Sequence, residues 1–228
     1  MLDLIAPRSC LVCGRPLVDA SYREPAICRS CLGEISPLES PNPCPGCGIP
    51  IARFLTRCER CRRESFCFDR VLPVQRYTGV CASIVQQYKF RGHFSLARTI
   101  AQAIVPIALR FDPSSSIIVP APSTRRSVRR RGFSSAGLIA RELARRTGTA
   151  CVPVLRARSR SSQKSLSYEE RRRNAARAIS ISGTVPPQTH VLLVDDVFTT
   201  GTTADACARR LKEAGADEVT VLVFGLEY

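Results

Sequence analysis

Eight of the twelve cysteines in this 228-residue chain fall in four C-x-x-C pairs before residue 62: Cys10/Cys13, Cys28/Cys31, Cys44/Cys47 and Cys58/Cys61. Two thiolates at this spacing grip one tetrahedral metal ion, and two such pairs complete a four-sulfur shell. Glycine follows two pairs directly, at Gly14 and Gly48, and permits the tight turn that brings backbone amides to the sulfurs. The segment between and around the cysteines is rich in Pro and Gly and holds no run long enough for a substantial core. It reads as a small module held together by metal. Eight ligands allow up to two structural zinc ions. The simplest assignment joins the first pair to the second and the third to the fourth; a crossed arrangement stays open. Full sulfur ligation leaves no open position for catalysis. A redox role would need a thioredoxin-like βαβ setting around C-x-x-C, which is missing. Cys67, Cys81, Cys151 and Cys207 lie outside the pairing and read as buried thiols.

From Phe68 onward the pattern changes to alternating strands and helices. Val71–Tyr77, Ile117–Val119, Val152–Leu155, Ala178–Ile181, Val191–Val194 and Val219–Phe224 read as strands. Val80–Phe90, Phe94–Leu109 with Pro106 inside it, Gly132–Arg146 closed by Gly148, Ser165–Asn174, and Thr202–Ala214 closed by Gly215 read as helices. All-apolar strands alternating with helices predict an α/β domain: a parallel sheet covered on both faces. The expected organisation is a cysteine-rich module over 1–66 and the α/β domain over 67–228. No apolar run is long enough to span a membrane. The first sixteen residues lack a basic cluster followed by an apolar core. The expectation is a cytoplasmic chain whose thiols stay reduced.

Lys and Arg number 34 against 19 Asp and Glu, a net charge of +15. Arg125–Arg177 alone holds sixteen basic and three acidic side chains. Such a surface attracts polyanions: pyrophosphate, nucleic acid or an acidic partner. A solvated basic face is the plain alternative.

The segment with the most chemistry runs from Val191 to Thr203. An apolar strand leads into Asp195 and Asp196, then a hydroxyl- and glycine-rich turn, Thr199-Thr200-Gly201-Thr202-Thr203, and then a helix. Such a turn presents amides and hydroxyls to one phosphate, and the helix N-terminus adds partial positive charge. Gly201 lets the backbone come close. Two carboxylates at the C-terminal end of a parallel strand suit sugar hydroxyls, directly or through a metal ion. Neither G-x-x-x-x-G-K-[ST] nor G-x-G-x-x-G is present.

This segment resembles the signature with which type I phosphoribosyltransferases bind 5-phosphoribosyl-1-pyrophosphate (PRPP). Together with the cysteine module, the chain resembles the ComF family. Tyr88-Lys89-Phe90-Arg91-Gly92 is similar to the family's Y-K-x-R-G. Val119-Pro120-Ala121-Pro122 followed by Arg125-Arg126 is similar to its V-P-V-P-x-x-x-R-R, and Arg131-Gly132-Phe133 to its R-G-F. Gln163, Leu166, Arg171 and Asn174 keep the spacing of its Q-x-x-L-x-x-x-x-R-x-x-N. Two departures stand out. Ser134-Ser135 replaces the usual Asn-Gln, and Arg158–Ser162 lacks the usual Lys and Thr.

The resemblance implies a type I phosphoribosyltransferase fold carrying a double zinc ribbon, and displacement of pyrophosphate at the sugar C1 with Mg²⁺ accompanying PRPP. It places Asp195 and Asp196 on the ribose hydroxyls, the second also suited to act as a base. Thr199–Thr203 would hold the 5′-phosphate, while Ser123, Arg125 and Arg126 would face pyrophosphate. Lys89 would reach a phosphate. Arg158–Gln163 would form part of a lid supported by Arg171 and Asn174. His93 and His190 read as ordinary polar residues. Three functions fit: a phosphoribosyltransferase, a PRPP-binding protein without turnover, and a module that grips single-stranded DNA alongside a competence helicase during DNA uptake. The acceptor and any homo-oligomeric state stay open.

Overall fold

The computed structural model describes residues 9–17, 27–38, 40–158 and 177–228. The helices are α1 (Arg29–Gly33), α2 (Glu59–Arg63), α3 (Gly79–Phe90), α4 (Leu96–Ala108), α5 (Arg125–Arg131), α6 (Ser135–Thr147) and α7 (Thr202–Glu213). The strands are β1 (Arg70–Arg76), β2 (Ser116–Pro120), β3 (Ala150–Cys151), β4 (Leu155–Ala157), β5 (Ile179–Ile181), β6 (Thr189–Phe198) and β7 (Ala216–Leu226).

Five strands form one parallel sheet in the order β1-β7-β6-β2-β3; β4 and β5 pair antiparallel beside it. The central strands are buried on both faces, as their all-apolar sequences require. Val191 and Leu193 of β6 face one buried cluster, and Leu192 and Val194 face the other. The second cluster is filled by Ile84 of α3, Ile100 and Ile104 of α4, and Ile139 and Leu143 of α6. The first is filled by Ala206, Cys207 and Leu211 of α7 and, beside them, by Cys44, Cys47, Cys58, Cys61 and Phe68. One face of the sheet is thus covered by helices. On the other face, among the described residues, α7 packs beside the β4–β5 pair and part of the cysteine-rich module.

β1 is an edge strand, which is why Pro73 is tolerated inside it. Its exposed edge is covered in part by the module, where the Leu38 N–H donates to the Val74 carbonyl.

Three elements differ from the sequence expectation. The helix expected over Gly132–Arg146 starts three residues later, as α6, and a helix that was not expected, α5, precedes it. Gly132 (φ 83°) closes α5 in the left-handed conformation, and α6 starts afresh where the Ser134 hydroxyl accepts from the Gly137 N–H. The short helix α5, sequence RRSVRRR, buries no residue and so shows no apolar periodicity to find. The strand expected over Val152–Leu155 falls mostly in the gap between two short strands, β3 and β4, where Pro153 lies; only Leu155 is in a strand. The expected helix over Ser165–Asn174 lies outside the described residues. Of the thiols outside the four C-x-x-C pairs, Cys81 and Cys207 are buried as expected, but Cys67 and Cys151 are only half-buried.

Ser134 caps α6, the helix that packs against α4 beneath the sheet. Ser134→Ala should lower stability by about 1 kcal/mol, read as a drop of roughly 2–4 °C in the midpoint of thermal unfolding for a chain of this size.

Candidate functional site: a phosphate turn beside a carboxyl pair

The carboxyl ends of β2 and β6 lie side by side, Pro120 opposite Val194, and the Ala121 N–H donates to the Val194 carbonyl at 2.9 Å. From β2 the chain crosses through α6 to β3 on one side. From β6 it crosses through α7 to β7 on the other. This is the point where the winding of the sheet reverses, and ligands of open α/β sheets bind outside the strand ends there.

A cavity of about 390 Å³ opens at this point. Asp195, Asp196, Thr199 and Thr203 line it from β6 and the following turn, with Ser123 and Thr124 on the β2 side and Lys89 at the end of α3. The turn itself encloses a smaller hollow of about 60 Å³, lined by Asp195 and all five residues Thr199–Thr203. Asp195 therefore touches both spaces.

Asp196 is 3% exposed, and its Oδ1 sits 2.7 Å from the Lys89 Nζ. Its Oδ2 is buried with no hydrogen-bond partner. A buried carboxyl oxygen without a partner, on a residue that lines a cavity, is a costly arrangement. Lys89 owes its position to its neighbour: Tyr88 is wholly buried, and its hydroxyl donates to the Ser135 carbonyl at 2.7 Å. This locks the last turn of α3 against α6. Asp195 is half-buried, and its Oδ1 accepts from the Asp196 N–H at 2.8 Å. Burial, together with the neighbouring Asp196 carboxylate, raises the Asp195 carboxyl well above the ordinary range, to about 8.

Gly201 caps α7 with φ 75°, and an added Cβ would lie 2.9 Å from Phe198 Cζ. Both the backbone conformation and the space exclude other residues there.

Ser123 lines the 390 Å³ cavity as expected. Arg125 lines an adjoining cavity of about 970 Å³ that shares Ala121, Pro122 and Ser123 as its wall. Arg141, Arg156 and Arg158 line that larger space too. Arg126 is exposed and lines neither. Instead, Ser127 and Arg131 reach the smaller cavity from α5. Sequence reasoning gave these two no role, although Thr124, whose hydroxyl accepts from the Ser127 N–H, is a recognisable helix cap. Gln163, Arg171 and Asn174, with the lid expected beyond Arg158, lie outside the described residues. His190 is half-buried and bonded to Thr220, as an ordinary polar residue.

The eight paired cysteines form two groups, Cys10/Cys13/Cys28/Cys31 and Cys44/Cys47/Cys58/Cys61, and within each group the sulfurs lie within 4.8 Å of one another. The first pair joins the second and the third joins the fourth; the crossed arrangement is absent. Cys13 and Cys28 are 3.7 Å apart at Sγ, and Cys47 and Cys58 are 3.5 Å apart. A tetrahedron of Zn–S bonds near 2.3 Å has edges of about 3.8 Å, so each group fits one zinc ion. The Cys28 and Cys58 N–H groups donate to Cys10 and Cys44 sulfurs, a pattern that favours thiolate ligands.

Comparison with known proteins agrees with both halves. Residues 1–85 match the double zinc ribbon domain, and residues 127–225 match the phosphoribosyl transferase domain. The chain is 30% identical over 226 residues to the DNA utilization protein YhgH of Salmonella typhimurium, covering 96% of each chain. It is 27% identical over 205 residues to Competence protein F of Haemophilus influenzae, covering 86% of this chain and 88% of that one. The chain belongs to the ComF family. A solved adenine phosphoribosyltransferase overlaps 63% of this ComF-family chain and 75% of its own, at 18% identity and a TM-score of 0.40. Among the described residues, no helix of this ComF-family chain is long and apolar enough to cross a membrane.

Two outcomes follow from the site's electrostatics and its cysteine groups. A carboxyl held protonated by the fold binds more protons than in the unfolded chain, so its contribution makes stability fall as pH rises from about 4 to about 8. Asp195→Asn removes that loss; thermal unfolding should show its stabilising effect growing as pH is raised from about 4 to about 8 and levelling off above it. Metal analysis should find two zinc ions per chain, and one after Cys10→Ser/Cys28→Ser, since the second group has its own four ligands.

Proposed function

We propose that this ComF-family protein binds PRPP in the 390 Å³ cavity and transfers its phosphoribosyl group to an acceptor, releasing pyrophosphate. The observation that carries the reading is the buried Asp196 with its unpartnered oxygen, beside a turn lined with hydroxyls at the N-terminus of α7. The turn Thr199–Thr203 suits the 5′-phosphate: its amides and hydroxyls converge on a small hollow, and the helix contributes partial positive charge. Asp195 and Asp196 suit the ribose hydroxyls as hydrogen-bond partners. On the opposite wall, Ser123, Ser127 and Arg131 suit the pyrophosphate. Lys89 pairs with Asp196 and adds positive charge near the phosphates. Mg²⁺ arriving with PRPP would neutralise charge building on the leaving pyrophosphate; the orphaned oxygen of Asp196 is consistent with a hydroxyl or a cation at that place.

In the reaction, a nucleophilic atom of the acceptor forms a bond to C1 as the bond from C1 to the pyrophosphate oxygen breaks. Asp195, whose affinity for protons is raised, suits the role of base for the acceptor's proton. The adjoining 970 Å³ cavity shares the Ser123 wall and suits the acceptor. The relatives named for DNA utilization and competence support a cytoplasmic role in DNA uptake, with single-stranded DNA and a competence helicase as partners. The basic surface from Arg125 onward suits such a polyanion.

Calorimetry with PRPP and Mg²⁺ tests the reading. The native protein should bind, and Asp195→Asn/Asp196→Asn should bind at least about tenfold more weakly. Equal affinity in the two would remove the site. Binding without PRPP-dependent pyrophosphate release, across candidate bases and amines, would favour a PRPP-binding protein without turnover.

A further inference from the structure

The zinc module touches the phosphate turn. Arg60 stands between the ligands Cys58 and Cys61 in α2, and its Nη1 donates to the Thr199 carbonyl at 2.9 Å. Phe66, in the segment leaving the module, approaches the same turn from below: a Cβ on Gly201 would lie 3.4 Å from its Cε1. Phe66 stacks on Phe68 at 4.8 Å, and Phe68 meets Phe198 edge-on at 5.7 Å, immediately before Thr199. One residue further along, the Cys67 N–H donates at 2.7 Å to Asp205, a buried acid in the first turn of α7. The turn is therefore held at its start, middle and end by one continuous stretch of the module.

From these contacts we infer that Arg60 is a positioning residue for the phosphate turn. The inference rests on the PRPP reading of that turn. A carbonyl and the following N–H share one peptide plane and point in opposite directions. Pinning the Thr199 carbonyl to Arg60 thus fixes the direction of the Thr200 N–H, one of the donors offered to the phosphate. The five-residue helix α2 is too short to hold Arg60 in place by its own hydrogen bonds. It begins at Cys58, whose sulfur accepts from the Cys61 N–H, so the metal-ligand frame supplies the rigidity. The second cysteine group is more than a staple for its own module: it sets the geometry of a loop some 140 residues away in sequence.

The test compares full-length, zinc-loaded native protein with Arg60→Ala and Arg60→Lys. Affinity for PRPP with Mg²⁺ would be measured by calorimetry, amide exchange by mass spectrometry over 199–203, and zinc content by metal analysis. Arg60→Ala should weaken PRPP binding about three- to tenfold, the range for a charged but solvent-exposed hydrogen bond. It should also speed exchange in the turn, with zinc content and thermal midpoint unchanged; Arg60→Lys should fall between. Native affinity and native exchange in Arg60→Ala would overturn the inference. So would a loss of affinity that tracks a loss of zinc, because Arg60 would then act only on its own module. Failure of the native protein itself to bind PRPP would instead remove the reading beneath it.

Discussion

Asp196 is an acid driven into the protein near the end of a largely buried strand, and the site takes its form from the way that group is met. A lone buried charge costs several kcal/mol. Here one oxygen is met by Lys89 at the end of α3, and the other is buried with no hydrogen-bond partner among the described residues. The arrangement demands a rigid α3, and the buried Tyr88 anchored to Ser135 supplies it.

The second constraint is coverage of the sheet. A parallel sheet must be buried on both faces, and on one of them α7 is joined by the β4–β5 pair, the second cysteine group and Phe68. A module of this size has little core of its own, and a tetrahedral metal gives it the rigidity that packing would otherwise provide. Its placement under β6 and α7 is what brings Arg60 and Phe66 against the phosphate turn. Structural metal and ligand turn are parts of one frame.

Much of this was legible in the sequence where the chemistry is contiguous. Val191–Thr203 declares strand, acids, turn and helix in order, and four matched C-x-x-C pairs declare their ligands. What stayed hidden depends on distant partners. Nothing near Lys89 tells that it meets Asp196, and nothing near Arg60 tells that it meets Thr199. The helix α5 was missed because it buries nothing, and with it the placement of Ser127 and Arg131 on the wall of the 390 Å³ cavity. A helix turns successive side chains by about 100°, so residues adjacent in sequence face different spaces.

The most direct measurement is a crystal structure of the protein with PRPP and Mg²⁺. The account predicts the 5′-phosphate seated on the amides of Thr199–Thr203, with the ribose hydroxyls within hydrogen-bond reach of Asp195 and Asp196. The sugar phosphate bound elsewhere, with Asp196 still paired only to Lys89, would contradict it.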